Sequence, residues 1–157
     1  MKSLLHCVLL FALIPCFSGC VSQQAATKEE MNHEYIVEYP GLAKSVIFNR
    51  TLKWIANNFR SSKSVIQYQD SISGSIIGNC SSAIKPDGSM INLAMSFTMN
   101  IDIKENKARY RFINLNDITF GDPSPMPDTK NWHRPAREIF DDIVSRLKTA
   151  TNKSDDF

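Results

Sequence analysis

The sequence has 157 residues and a formal net charge of +2 at pH 7. Hydrophobic residues make up 43% of it and charged residues 22%, which is typical of one globular domain with short appendages. A charge so near neutrality gives no electrostatic case for nucleic-acid binding, which needs a concentrated basic face.

The first twenty residues combine an apolar stretch with small residues before a cysteine. Residues 4–14 are almost entirely apolar, but this stretch is too short to span a bilayer as a mature helix. The following Phe17-Ser18-Gly19-Cys20 resembles a lipobox, whose small residues let the peptidase approach the backbone before the acceptor cysteine. We therefore predict a signal peptide at residues 1–19, cleavage between Gly19 and Cys20, and acylation of Cys20.

Two alternatives remain for the leader. Cys16 is a competing acceptor, although Pro15 beside the cut fixes φ and removes a donor. An ordinary secretory leader with an incidental cysteine is the other. By resemblance to lipoproteins, Cys20 would carry a diacylglyceryl group and usually a third acyl chain, and two chains already anchor stably. Val21, where an aspartate would indicate inner-membrane retention, favours the outer membrane of a cell envelope.

Residues 20–33 are predicted to be the lipidated cysteine and a flexible tether. The segment is polar and has no sustained apolar face. A short helix around Ala25–Met31 is an alternative.

Residues 34–149 are predicted to form one domain, followed by a disordered tail at residues 150–157. In chain order, the patterns predict a strand at 35–39, a helix at 43–60, strands at 65–69, 75–84, 91–103 and 108–120, and a helix that ends near residue 148. A proline-rich loop at 121–130 precedes that last helix, which Asp128 or Thr129 would cap.

The strand at 91–103 has the clearest pattern. Apolar residues occupy every second position from Ile91 to Ile103, which predicts one buried face. In its partner strand, Asn114 and Asn116 interrupt the apolar phase, so we expect a bulge there. Two amphipathic helices would cover the buried face of an antiparallel sheet, giving a two-layer α+β fold.

Several segments also resemble a known bacterial family. They are Lys53-Trp54-Ile55, Val65-Ile66-Gln67-Tyr68, Ser73-Gly74-Ser75-Ile76-Ile77-Gly78 and Ala108-Arg109-Tyr110-Arg111-Phe112. They are similar to a domain-of-unknown-function family with a TBP-like fold, found largely in secreted proteins and lipoproteins of Bacteroidetes. The match covers roughly residues 36–120. The resemblance implies a curved sheet with helices, but no catalytic residue, because the family has no established activity.

Catalytic and metal-binding motifs are not apparent. His33 and His133 are not spaced like metal ligands, and a surface position is predicted for each. No nucleophile–base pair is visible, so we predict neither an enzyme nor a cofactor. Cys80 is predicted to be a buried apolar residue, with an intermolecular disulfide or a reactive thiol as alternatives.

The open face of the predicted sheet is the candidate partner surface. If Ile91–Ile103 face the helices, then Asn92, Ser96, Thr98 and Asn100 line that face, unless it is simply solvated. Arg109 and Arg111 share one strand face and either grip an anion or are solvated. We expect a binding or assembly module for an envelope protein or a glycan. The alternative is a periplasmic carrier of lipid or a small apolar ligand, in a cavity lined by Met95, Phe97, Met99 and Phe140.

Overall fold

The structure is a computed structural model that describes residues 24–59 and 65–153. The predicted cleavage after Gly19, the acylation of Cys20 and the last four residues of the predicted tail lie outside the described residues.

Three helices and six strands make up the described chain. In order they are α1 Lys28–Met31, β1 Glu34–Glu38, α2 Lys44–Asn58, β2 Ile66–Asp70, β3 Ser75–Ile84, β4 Leu93–Lys104, β5 Lys107–Asp117, β6 Ser124–Pro125 and α3 Lys130–Asn152. The five long strands and the two long helices were all predicted. The short α1 and β6 are additional.

The six strands form one antiparallel sheet in the order β1-β5-β4-β3-β2, with β6 paired to the end of β5. Helix α2 packs on β4 and β5, α3 packs on β3, and the two helices contact each other. Both helices therefore cover the same face. This confirms the predicted two-layer α+β fold with a curved antiparallel sheet.

Alternation along β4 divides the sheet into a covered and an open face. Five apolar side chains of β4 are at most 2% exposed, and the residues between them are half-buried on the other side; the five are Met95, Phe97, Met99, Ile101 and Ile103. The predicted start of this strand is wrong, because Ile91 is 60% exposed and lies in the preceding loop.

The bulge predicted in β5 is present. Ser96 pairs with Asn116 and Thr98 with Ile113, so two residues of β5 lie opposite the single Phe97. Asn114, one of those two, adopts a left-handed φ of 54°. The strand then ends at Asp117, and the predicted extension to Phe120 is wrong, since that side chain is 89% exposed.

An aromatic cluster joins the sheet to α3. The rings of Phe112 and Phe140 stack with centroids 4.2 Å apart, and Phe97 meets both edge-on. Met95 and Met99 are completely buried in the same core. These rings pack in direct contact, so the residues named for a ligand cavity form part of the core.

Residues 24–33, which we call the N-terminal segment, do not form the predicted tether. Ala25 pairs with Thr129, the amide of Ala26 donates to the Asp128 carbonyl, and the Lys130 amide donates to the Gln24 carbonyl. The short-helix alternative is correct in part, as α1 lies within this segment and packs on α3. The Thr129 hydroxyl, predicted as a cap, makes no hydrogen bond in the described chain.

The C-terminal boundary also differs from the prediction. Helix α3 continues to Asn152, and Thr151 is completely buried. The guanidinium of Arg50 on α2 donates to the Thr151 carbonyl over 2.8 Å. This contact explains why the predicted disordered tail is helical at residues 150–152.

Gly74 allows the turn between β2 and β3 to approach β4. It has φ +77°, and a Cβ there would lie 2.3 Å from the Ile103 carbonyl oxygen. The Ile103 amide donates to the Gly74 carbonyl over 2.8 Å, so the close approach carries a hydrogen bond. Glycine is thus required both by conformation and by space.

Gly74→Ala is expected to destabilise the fold much more than Gly88→Ala. Gly88 has a similar φ of +80° but no atom near its Cβ position. The control should lose about 1 kcal/mol of unfolding free energy from the left-handed conformation alone. Gly74→Ala should lose about 1–3 kcal/mol more from the clash. Urea denaturation measures both, and equal losses would contradict the packing described.

Candidate functional site

The open face of the sheet carries three of the four residues predicted as a partner surface. Ser96, Thr98 and Asn100 lie on β4, each half-buried, and their side chains project away from the helices. The Thr98 hydroxyl donates to Asn79 Oδ1 over 3.1 Å and accepts from Asn114 Nδ2 over 3.4 Å. Cross-strand hydrogen bonds thus hold the middle of this face in place.

Asn92 does not belong to that surface. It precedes β4 and is exposed at a shallow cleft between the end of β3 and α3. Period-two alternation holds only within a strand, and β4 begins at Leu93. The prediction for Asn92 is therefore wrong.

A cluster of three charges lies next to the predicted residues. Arg109 donates to Asp102 Oδ2 from Nη2 at 2.8 Å and from Nε at 3.2 Å. Arg111 donates to the same oxygen from Nη2 at 3.0 Å. One carboxylate thus orders two guanidiniums, and its presence raises the pKa of Arg109 through hydrogen bonding and charge. The two arginines share one carboxylate, so the cluster keeps an excess positive charge.

A cleft of about 210 Å³ adjoins this cluster at the β4–β5 turn. Ile36 of β1 lies opposite Arg109, and its side chain is 64% exposed. Lys104 and Lys107 pair across the turn and complete the lining with Asp102 and Ala108.

The two lysines of the cleft make no ion pair within residues 24–59 and 65–153. Asp102 is already shared by two arginines, and Glu38 of β1 lies opposite Lys107 in the strand register. The lining still has more cations than carboxylates, and it includes an exposed isoleucine. After Asp102, Glu34 of β1 is the other carboxylate that acts on Arg109. Such a cleft can accept a carboxylate that lies beside an apolar group.

Sequence reasoning missed this cleft. The two lysines flank a predicted turn, so their proximity was readable from the hairpin. The position of Ile36 beside them depends on the pairing of β1 with β5, about 70 residues away along the chain. No local pattern reports that pairing.

The two histidines predicted at the surface are buried instead. His33 is 3% exposed and His133 is 6% exposed, and their facing ring nitrogens are 3.1 Å apart. Nothing in the spacing of residues separated by 100 positions indicated this contact. The described residues include no group of three or more potential ligands placed to hold a metal ion. None of the described helices has the length and apolarity needed to cross a membrane.

Comparison with known proteins places this architecture in a family. The family described as "Domain of unknown function (DUF4468) with TBP-like fold" matches residues 33–117. The chain belongs to this family. No curated protein matches the sequence.

Two solved structures share the fold of this DUF4468 domain. One is a DUF4468 family protein from Bacteroides ovatus, 13% identical, with a TM-score of 0.65 over 87% of this chain and 95% of that one. The other is a TBP-like protein from Parabacteroides distasonis, 10% identical, with a TM-score of 0.66 over 83% of this chain and 99% of that one. At these identities the likeness establishes the shape and no activity.

Cys80 is a free, buried thiol in this DUF4468 domain. It lies on β3, is 4% exposed, and burial raises its pKa to about 12. The disulfide and reactive-thiol alternatives are therefore disfavoured by its position.

We expect Cys80 to resist thiol reagents until the domain unfolds. At pH 8 a thiol with this pKa is ionised to roughly one part in ten thousand, and burial blocks access as well. In a chain that starts at residue 20 with Cys20→Ser, Cys80 is the single thiol. Ellman's reagent should label it only in denaturant, and rapid labelling of the native chain would contradict its burial.

Proposed function

We propose that this protein is a non-catalytic lipoprotein of the cell envelope whose DUF4468 domain binds a partner protein on its open sheet face. The lipobox-like Phe17-Ser18-Gly19-Cys20 supports the anchor, and Val21 supports the outer membrane as its location. Acyl chains on Cys20 would hold the domain beside the bilayer.

The observation that carries the binding role is the cleft around Ile36. Both long helices cover the opposite face, so this side of the sheet is left to solvent by the described chain. Ile36 is 64% exposed beside Lys104 and Lys107, so a partner could bury this side chain and pair with the lysines at the same place. The chemistry fits a partner that presents an acidic side chain beside an apolar one.

Electrostatics favours a protein over a glycan as the proposed partner. A neutral glycan offers no charge to Lys104 and Lys107, whereas a glutamate or aspartate can pair with them. The Asp102–Arg109–Arg111 cluster next to the cleft is already ordered by its ion pairs. Binding against it would therefore cost little additional side-chain entropy. An acidic, partly apolar peptide segment is therefore the proposed ligand.

Acylation is tested by labelling cells with an alkyne fatty acid. The full chain should be cleaved and labelled, whereas Cys20→Ser should accumulate as an unlabelled precursor. Cys16→Ser is the matched control and should behave like the unsubstituted chain. Labelling that persists in Cys20→Ser, or that disappears in Cys16→Ser, would refute the assignment of the anchor.

Binding is tested by NMR titration of the chain from residue 20, with Cys20→Ser, using acetyl-Leu-Glu-Leu-Glu-Leu-Glu-amide. Amide shifts are expected around Ile36, Lys104 and Lys107, and the matched glutamine peptide should cause much smaller ones. Lys104→Glu with Lys107→Glu should weaken binding about 5–30-fold, if two exposed ion pairs contribute about 1–2 kcal/mol together.

The matched control for that titration is Lys148→Glu with Lys153→Glu. It makes the same change of net charge at exposed positions near the end of α3. It should leave the affinity within about twofold. Equal binding of the glutamine peptide, or equal weakening by both double variants, would show that the cleft is not the binding site.

The middle of the face is tested with Ser96→Arg and Thr98→Arg together. Both side chains are half-buried away from the core, so the thermal midpoint should fall by no more than a few degrees. Capture of a validated partner should be lost because two long side chains then cover the face. Full capture by a folded double variant would exclude this part of the surface.

A further inference from the structure

A buried pair of histidines joins the N-terminal segment to α3. His33 ends the segment, and His133 lies in the first turn of the helix. His33 Nε2 and His133 Nδ1 are 3.1 Å apart, and the rings stack nearly parallel, with centroids separated by 5.4 Å. The ring of His33 also meets Phe140 edge-on at 5.0 Å. The contact is therefore part of the packed core.

The histidine pair can hold one extra proton, but not two, without losing its hydrogen bond. In a hydrogen bond between two imidazoles, one nitrogen donates and the other accepts. A neutral pair meets this condition, and so does a pair that carries one extra proton. Two protonated rings would place two N–H groups face to face over 3.1 Å, which removes the hydrogen bond and adds charge repulsion.

A carboxylate lies beside His133. Its Nε2 is 3.6 Å from Asp128 Oδ1. His33 is less favourably placed: burial, His133 and Arg137 lower its pKa to about 4, and Asp141 opposes them only in part. His33 Nδ1 is buried without a partner among the described residues. A proton on His33 is therefore compensated only in part, by Asp141.

The remaining charged groups at this contact bind the segment without help from the histidines. The Arg137 guanidinium donates to the carbonyls of Glu29, Glu30 and Asn32, at the end of α1. Lys130 lies 3.6 Å from the Glu30 carboxylate. Tyr35 on β1 faces Asp141, and burial together with that carboxylate raises the pKa of its phenol. Acid weakens the contact of the Glu30 carboxylate with Lys130 in the same direction.

We propose that the N-terminal segment is an acid-released latch, which detaches from α3 when both His33 and His133 are protonated while the sheet and the two long helices stay folded. The segment contributes no buried apolar residue of its own, and His33 is its one buried side chain. The apolar side chains that α2, α3 and β4 bury all lie outside the segment. Release therefore breaks polar contacts and the His33 packing, and leaves the main core in place.

Release would change the reach of the domain if the anchor is the one proposed above. The ten residues of the segment span about 33–36 Å when extended. In the latched form these ten residues are folded against α3. Detachment would let the open face reach a partner farther from the bilayer.

Hydrogen exchange with mass spectrometry tests the latch on the chain from residue 20 with Cys20→Ser, which needs no anchor. Rates corrected for intrinsic pH dependence should rise at least tenfold in peptides from residues 24–33 between pH 7 and pH 4. Peptides from β4 and β5 should stay protected over that range. Such a result stands even if the acylation experiment fails.

The matched variant is His33→Gln with His133→Asn. A glutamine amide occupies the position of Nε2 and an asparagine amide that of Nδ1, so the hydrogen bond can form without a titratable group. Protection of the segment should then depend much less on pH, because only the Glu30 contact still responds to acid. NMR titration of the histidine Cε1 protons in the unsubstituted chain gives a second measurement, with the lower apparent pKa expected to coincide with release.

The proposal is overturned if the segment stays protected at pH 4, or if β4 and β5 lose protection together with it. It is also overturned if the amide variant, once folded, releases the segment with the same pH profile. If that variant does not fold, the NMR titration gives the test. The latch is contradicted if neither histidine titrates at the pH where residues 24–33 lose protection.

Discussion

Side chains of β4 alternate between the helix-covered face and the open face of the sheet, and the positions of the other elements follow from this division. Burying Met95, Phe97 and Met99 requires a cover, which α2 and α3 supply. Exposing their apolar surface to water would cost free energy, so the helices stay packed on that face. Polar groups of β4 are then left on the opposite side, where hydrogen bonds to β3 and β5 order them.

The start of α3 is a second point where local chemistry determines assembly. Pro135 has no amide hydrogen, so the Asn131 carbonyl four residues earlier lacks its helical donor. The Asp87 amide donates to that carbonyl over 2.9 Å, and the Asp87 carboxylate binds Arg134. The N-terminal segment supplies the Gln24 carbonyl to the Lys130 amide. Two distant loops thus satisfy backbone groups that the helix itself cannot pair.

The main elements were predictable because their signals are local. Each signal depends only on which side of its own element faces the core. These signals are the period of two in β4, the period of 3.6 in both long helices and the asparagine interruption in β5. The errors arose where distant residues meet. The burial of His33 depends on α3, the helical residues 150–152 depend on Arg50, and the cleft depends on the pairing of β1 with β5. Polar composition cannot distinguish a tether from a polar segment whose backbone is paired.

Whether a partner covers the open face can be tested by measuring its accessibility in the cell that makes the protein. Thr98→Cys places a thiol on that face, and Lys148→Cys places one on the exposed side of α3. A membrane-permeant maleimide should label both rapidly in the purified protein. In intact cells Thr98→Cys should be labelled at least several-fold more slowly than in the purified protein, while the labelling of Lys148→Cys should be unchanged. Equal labelling of Thr98→Cys in both settings would contradict an occupied face.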